Sequence, residues 1–191
     1  MARRSPTVRP LVDAARPLGP LAMLLQPMLL AGLAAGPVAA SPASPDPGRH
    51  LVLDRRAREL RVLEADRLIS RFPVAVGMPG WETPVGEFQV IEKTADPTWK
   101  HPATGELFGP GPANPLGSRW IGFHRDCGER RGFNGKEYLV VRGCATAGFH
   151  GTNNRNSIGQ AASHGCVRLY EEHVRQLFEL VSIGTPVTVL P

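Results

Sequence analysis

The sequence carries little excess charge once its N-terminal segment is set aside. Its 191 residues include 22 Lys and Arg and 17 Asp and Glu, a formal net charge of +5. Four of the basic residues and one acidic residue lie in residues 1–40, which leaves 18 basic and 16 acidic residues and a net charge of +2. Nucleic-acid-binding domains carry a strongly basic surface. We therefore expect no nucleic-acid partner.

The sequence also lacks internal repeats at solenoid spacing, runs of like charge and any sign of a second module. These absences exclude a repeat architecture. The roughly 150 residues that follow the N-terminal segment suit one compact domain with a core large enough to fold alone.

Residues 1–40 have the order of regions found in secretory signal peptides. Four arginines come first, an apolar stretch over residues 21–40 follows, and a Pro/Ser-rich segment comes next. Small residues precede a cleavage site, so we predict cleavage after Ala40. An uncleaved membrane anchor is the alternative, because the stretch is nearly long enough to span a bilayer. We assign residues 1–40 to the signal peptide, 41–49 to a linker and 50–191 to the folded domain, with a membrane association only if the signal stays attached.

Short β-strands are the dominant pattern after residue 50. Alternating or β-branched runs occupy residues 50–54, 59–63, 68–76, 85–91, 120–123 and 187–190. A Pro/Gly-rich segment, residues 96–118, separates two of these runs, and a loop of that length in a small domain is more often functional than idle. The sequence predicts a mostly β domain, with the role of this loop left open.

One segment near the C-terminus has helical periodicity. Apolar residues at 170, 174, 177, 178 and 181 share a face, Glu171 and Glu172 occupy the first turn, and Gly184 and Pro186 follow the end. We predict that this helix covers the sheet. Its start comes soon after Cys166, where a helix N-terminus would favour a thiolate.

The candidate catalytic centre is the segment Ser163-His164-Gly165-Cys166, with His150 upstream of it. A thiol is a good nucleophile only as a thiolate, so a cysteine in a Gly-containing turn near histidines is a candidate nucleophile. The base is either His150 or His164. Gly165 indicates a turn beside His164, which leaves the choice open, and His150 comes from a separate segment, as catalytic bases commonly do.

Two other interpretations of Cys166 compete with this one. The first is an inert buried or disulfide-bonded cysteine, against which the polar Ser-His-Gly surroundings argue. The second is a tetrahedral zinc site formed by Cys144, His150, His164 and Cys166. Its ligand spacing matches no common zinc finger or ribbon, and exported proteins rarely use thiolate zinc. We therefore favour the nucleophile.

The domain resembles the L,D-transpeptidases with a YkuD-type catalytic domain. The resemblance rests on motifs in the right order at residues 83–88, 114–123, 149–153, 157–169 and 184–187. It points to the arginine-type branch, because Arg168 stands where other members have asparagine and the His150–Ser163 spacing is short. It implies that residues 50–191 form a mostly β, sandwich-like or barrel-like catalytic domain with one covering helix and a mobile flap.

The resemblance also implies a role for each residue of the site. Cys166 is the expected nucleophile, and His150 is the expected general base, oriented by the carbonyl of Gly151. Arg168 is expected to hold the loop or the substrate. The amides of the signature loop are expected to form the oxyanion hole with that of Cys166; the loop residues are Ser163, His164 and Gly165.

The function implied by the resemblance is that of a peptidoglycan L,D-transpeptidase exported to the periplasm or cell wall. The thiolate attacks the third residue of a tetrapeptide stem, expels D-alanine and leaves a thioester, which an amine on a neighbouring stem converts into a 3→3 cross-link. The partner is a peptidoglycan stem peptide, and neither a metal nor an organic cofactor is implied. An L,D-carboxypeptidase or endopeptidase that lets water reach the thioester is one alternative. A catalytically idle peptidoglycan-binding protein is the other.

Cys127 and Cys144 lie outside the family signature. With Cys166 they make an odd count, which in an oxidising compartment fits one disulfide and one reactive thiol. The two residues lie in Gly-bearing turns that flank a plausible strand in residues 135–141. A bond between them would close a loop of about 17 residues and stabilise the protein by roughly 3 kcal/mol, less any strain. We expect this disulfide if the Cα atoms approach within about 7 Å; two unpaired thiols are the alternative.

Overall fold

The computed structural model describes residues 48–101, 104–133, 138–141 and 144–191. The predicted signal peptide, residues 1–40, and linker residues 41–47 lie outside the described residues. Arg49, which was assigned to the linker, already belongs to the first strand. Within the described ranges, no helix combines the length and the apolar character needed to cross a membrane.

Short strands make up most of the regular structure. They are β1 Arg49–Asp54, β2 Glu59–Glu64, β3 Arg67–Pro73, β4 Val76–Gly77, β5 Gly86–Gln89, β6 Glu92–Ala95, β7 Trp99–Lys100, β8 Leu107–Phe108, β9 Arg119–Asp126, β10 Arg130–Phe133, β11 Tyr138–Val141, β12 Ala145–His150, β13 Ala161–Ser163, β14 Val167–Arg168 and β15 Pro186–Leu190. Among the described residues there is one α-helix, α1, which spans Glu171–Leu180, and one short 3₁₀ turn, which spans Arg155–Ser157. The predicted mostly β fold with one helix near the C-terminus is confirmed.

A five-stranded sheet has the strand order β3-β2-β1-β15-β5. The first three strands form an antiparallel meander, and β15 is parallel to β1 and antiparallel to β5. Side chains alternate between the two faces of a strand. Leu51 and Leu53 on β1 are accordingly buried, as are Val187 and Val189 on β15.

A four-stranded sheet has the order β14-β12-β9-β6. Strand β12 is antiparallel to β9 and parallel to β14. Phe123 on β9 and Phe149 on β12 pack with ring centroids 4.9 Å apart, inside one hydrophobic cluster that also contains the buried residues of the first sheet. Helix α1 adds Val174 and Leu177 to this cluster, which is the covering role that its periodicity predicts.

The long Pro/Gly-rich segment is more structured than the sequence predicted. Within residues 96–118 the strands β7 and β8 form a small antiparallel hairpin. Asn114 is buried in the segment, and its side-chain amide donates to the carbonyl of Pro97 at 2.6 Å. This hydrogen bond connects the two ends of the segment, which therefore needs no separate hydrophobic core.

Candidate active site

Two neighbouring parallel strands bring the predicted site residues together. His150 is the last residue of β12, Arg168 is the last residue of β14, and the two are paired in register. The amide of Leu169 donates to the carbonyl of His150 at 2.8 Å. On its other side β14 bonds to Ala75, with the Arg168 amide 2.9 Å from the Ala75 oxygen. This ladder fixes the segment that carries Cys166, the residue directly before β14.

The thiol of Cys166 lies near the start of β12. Its Sγ is 3.7 Å from the carbonyl oxygen of Thr146, four residues before His150 on the same strand. The side chain is half-buried. Cys166 directly precedes β14, and His150 ends the neighbouring strand β12, so the fold joins two segments that are separated by 16 positions in the sequence.

Ser163 closes the turn that precedes Cys166. Its hydroxyl donates to the carbonyl of Cys166 at 2.5 Å and accepts from the amide of Gly165 at 3.2 Å. Gly165 has a φ of +110°, a conformation that residues with a Cβ rarely adopt. The turn indicated by this glycine is present. Within it the Gly165 amide, one of the expected oxyanion donors, is hydrogen-bonded to Ser163.

The imidazole of His150 is buried and held in one orientation. It is 5% exposed, and its Nδ1 lies 2.5 Å from the carbonyl oxygen of Gly151. A carbonyl oxygen can only accept, so Nδ1 carries the proton and donates it. Nε2 is then left as the unprotonated nitrogen, which is the form that a proton acceptor needs.

Trp120 packs against the face of the His150 imidazole. It pairs with His150 across the β9–β12 ladder, and the two rings stack with centroids 6.0 Å apart and planes at 29°. Gly148 makes room for this indole, because a Cβ at position 148 would lie 2.8 Å from the Trp120 Cη2 atom. A glycine inside a strand often marks such a close approach.

The environment keeps His150 neutral. Burial lowers the pKa of its imidazole from 6.5 to about 4, the carbonyl of Gly151 partly opposes this shift, and the positive charge of Arg168 adds to it. At pH values above about 5 the ring is uncharged and can accept a proton.

Arg168 interacts with both members of the pair. Burial lowers the pKa of its guanidinium from the usual value, and the interaction with Cys166 opposes that shift. A positive charge beside a sulfur favours the thiolate. The charge of Arg168 therefore favours both the thiolate of Cys166 and the neutral form of the His150 imidazole.

His164 has different surroundings. Its side chain is exposed, and its ring meets the edge of Trp81 at 5.0 Å with the planes 83° apart. Trp81 is buried, and its Nε1 donates to the carbonyl of Phe133 at 3.2 Å. His164 is thus linked through Trp81 to the hairpin of β10 and β11.

A disulfide joins Cys127 and Cys144, with the Cα atoms 3.8 Å apart and a sequence separation of 17. Cys127 directly follows β9 and Cys144 directly precedes β12, so the bond connects the two strands at the base of the β10–β11 hairpin. Cys144 consequently does not join the four-residue zinc set. In the part of the chain that the structure describes, no group of three or more His, Cys, Asp or Glu side chains is arranged to hold a metal.

A cavity of about 550 Å³ lies beside the segment that follows His150; its lining includes Asp96, Asn114, Ser118, Thr152, Arg155 and Glu171. Residues 96–118 therefore supply one wall of a cavity next to the site. Three residues of this region had not been connected with the chemistry from the sequence. Trp120 stacks on His150, Trp81 contacts His164, and Glu171 lines the cavity. Gly148 was the available signal for Trp120, since a strand-interior glycine indicates close packing.

Comparison with known proteins supports the resemblance at the level of sequence. The model of the YkuD family, described as the L,D-transpeptidase catalytic domain, matches residues 48–189. YqjB of Bacillus subtilis is 33% identical over 153 residues, which cover 80% of this chain and 76% of that protein. YkuD of the same organism is 32% identical over 173 residues, which cover 88% and 85%. Both relatives carry L,D-transpeptidase in their names.

Solved structures show a shared fold. An L,D-transpeptidase from Mycobacterium tuberculosis H37Rv superposes with a TM-score of 0.54 at 17% identity, covering 76% of this chain and 58% of that one. L,D-transpeptidase 3 from Mycobacterium tuberculosis gives 0.55 at 17% identity, covering 76% and 62%. This chain thus spans about three fifths of the length of those two. Membership of the arginine-type branch stays a prediction, but the family is shown: the chain belongs to the YkuD family of L,D-transpeptidase catalytic domains.

Proposed function

We propose that this protein is a peptidoglycan L,D-transpeptidase that acts through a thioester on Cys166. The observation that carries the proposal is the orientation of His150. Its Nδ1 proton is committed to the carbonyl of Gly151, and its Nε2 is left as the acceptor on the strand next to the thiol. A nucleophile, a base and a group that orients the base are the parts that thiol acyl transfer needs.

In the first half-reaction the Cys166 sulfur attacks the carbonyl carbon of the third residue of a tetrapeptide stem. His150 takes the thiol proton on Nε2 and passes it to the amine of the departing D-alanine. A carbon–sulfur bond forms as the peptide bond breaks, and a thioester remains. The charge of Arg168 favours the ionised sulfur before the attack.

In the second half-reaction an amine on a neighbouring stem attacks the thioester. His150 removes a proton from that amine and returns it to the sulfur, so the thiol is regenerated and a 3→3 cross-link is made. The amides of His164 and Cys166 are the proposed donors to the oxyanion. The Gly165 amide, being bonded to Ser163, would have to leave that partner to take part.

The proposed substrate places the working enzyme outside the cytoplasmic membrane, in the periplasm or cell wall. The expected signal peptide in residues 1–40 and the Cys127–Cys144 disulfide fit an oxidising compartment. The stem peptide is the proposed partner, and no step of the chemistry requires a cofactor.

The test is to incubate the purified protein with disaccharide tetrapeptide and to measure the products by mass. Cross-linked dimers that disappear in Cys166→Ala, with the thioester captured on Cys166 in the parent protein, are the expected result. Tripeptide products without dimers would show a carboxypeptidase instead. Unchanged substrate that still binds would show an idle binding protein. Dimer formation by Cys166→Ala would overturn the assignment of the nucleophile.

A further inference from the structure

The carboxylate of Glu171, a half-buried residue at the start of α1, is held by several polar contacts. The amide of Ser118 donates to it, with N–O distances of 3.3 and 3.2 Å to the two oxygens. The Ser118 hydroxyl donates to Oε2 at 2.8 Å, and Arg175 Nη2 lies 3.9 Å from the same oxygen. Glu171 thus bonds the loop before β9 to the first turn of the helix, where a negative charge is favoured.

Two glycines leave the space that this carboxylate occupies. A Cβ built on Gly117 would lie 1.7 Å from Glu171 Oε1, and one built on Gly151 would lie 1.8 Å from the same atom. Gly117 has a φ of +64°, which favours glycine by itself. Gly151 has no positive φ, and the atoms nearest to a Cβ built on it belong to the Glu171 carboxylate, with the Gly117 Cα next at 3.2 Å.

Gly151 is also the residue that orients His150. Its carbonyl accepts the Nδ1 proton, while its own amide makes only a long hydrogen bond, 3.4 Å, to the carbonyl of Arg119. The position of this carbonyl therefore depends on what packs against the Gly151 Cα. The group packed there is the Glu171 carboxylate.

The adjacent Glu172 has no such contacts. Its side chain is exposed and forms a two-point ion pair with Arg155, with both distances 2.9 Å. The two glutamates occupy the same helical turn and carry the same charge. They differ in what they touch, which makes Glu172 a matched control.

We propose that Glu171 is a positioning residue for His150, acting through Gly151. The carboxylate holds the Gly151 backbone at the distance at which its carbonyl keeps the Nδ1 proton and leaves Nε2 to accept. This inference rests on the proposed function for the role of His150, but it concerns the orientation of the imidazole and can be measured without turnover.

The experiment compares Glu171→Ala, Glu171→Gln and Glu172→Ala in the purified protein. Glu171→Ala should lower kcat for cross-link formation roughly tenfold or more with KM changed less than about twofold, because misplacement of a base affects the chemical step. In ¹⁵N spectra of the histidine rings it should also lose the Nδ1–H form of His150. Glu171→Gln, which can still accept from Ser118, should retain most of both, and Glu172→Ala should match the parent protein.

A reciprocal variant covers the case in which Glu171→Ala does not fold, as judged by circular dichroism. Gly151→Ala alone should displace the carboxylate and lose activity. Adding Glu171→Ala should restore part of it, because the methyl group then enters the vacated space. Failure of the second mutation to restore any activity would contradict the proposal.

The failure of this proposal and that of the proposed function are distinguishable. If the parent protein makes no cross-links, the proposed function fails, and the His150 ring spectra alone decide the positioning role. An unchanged Nδ1–H signal in folded Glu171→Ala would overturn that role whatever the products are.

Discussion

Two histidines are candidates for the base, one at the end of β12 and one in the turn before Cys166, and the regions that hold them are built differently. His150 ends a central strand, stacks on Trp120 and donates to the carbonyl of Gly151. His164 is exposed in the turn before Cys166 and touches the edge of Trp81. A carbonyl partner and burial fix both the tautomer and the charge of His150. Nearness to the cysteine in sequence is thus a poor guide to which ring can act as the base.

The largest expected effect is a difference between the two histidine variants. His150→Gln should lower the acylation rate on the order of 10²-fold or more, because it removes the proton acceptor. His164→Gln should lower it less than about tenfold, through the geometry of the turn. Acylation is measured as capture of Cys166 by a carbapenem followed by mass spectrometry. A larger loss at His164 would reverse the comparison.

The second prediction concerns the pH dependence of stability. The pKa of His150 is about 4 in the folded protein and near 6.5 in the unfolded chain, so between these values the unfolded chain binds the extra proton. Folding should therefore lose up to about 3 kcal/mol from this group as the pH falls from 7 to 4, and the loss should level off below that. Urea unfolding at a series of pH values measures it.

The two histidine variants again serve as controls. His150→Gln should lack this part of the pH dependence, and His164→Gln should retain it. Equal pH dependence in the parent protein and in His150→Gln would show that burial does not lower the pKa of His150.

The third prediction concerns the disulfide, which lies at the opposite end of β12 from His150. Replacing both Cys127 and Cys144 with serine should lower the free energy of unfolding by about 2–3 kcal/mol, because the unfolded chain regains the freedom of the loop. Unreduced protein, alkylated and then digested, should yield a Cys127–Cys144 peptide and label at Cys166 alone. A linkage that includes Cys166 would contradict both the pairing and the role of the thiol.

The smallest expected effect is on the His164 side. Trp81→Phe keeps an aromatic ring beside His164 but removes the indole hydrogen bond to Phe133, and should cost about 1 kcal/mol of stability. Acylation should change by less than about threefold. A loss comparable to that of His150→Gln would show that the hairpin contact controls the chemistry.

The sequence predicted the elements better than the contacts. The runs at residues 50–54, 59–63 and 187–190 became β1, β2 and β15, because alternation of apolar residues reports directly on a half-buried strand. The helix α1 was likewise predicted correctly, because its apolar residues recur at helical spacing. The hairpin of β7 and β8 was missed, since two-residue strands leave no periodic signal and the segment is held by the buried side chain of Asn114.

For the candidate site, too, the sequence predicted the residues better than their contacts. The cysteine, the two histidines and the arginine are visible as residue types in a motif. The choice between His150 and His164 could not be made from the residues, because it depends on the carbonyl of Gly151 and the ring of Trp120. Glu171 was given only a place in the first turn of the helix, because its contacts with Ser118 and the two glycines come from segments far apart in the sequence.

The position of β15 has a consequence for how the chain is made. Strands β1, β2 and β3 can pair as soon as they are synthesised. Strand β15, in contrast, lies between β1 and β5, so Leu51 cannot pair with Val187 until residues 186–190 have been synthesised. Until then the edges of β1 and β5 stay open, and an open edge can pair with another chain. Pairing across so long a stretch of sequence is also slow. A nascent chain stalled before residues 186–190 is therefore expected to aggregate, because β15 is the strand that covers this edge of β1.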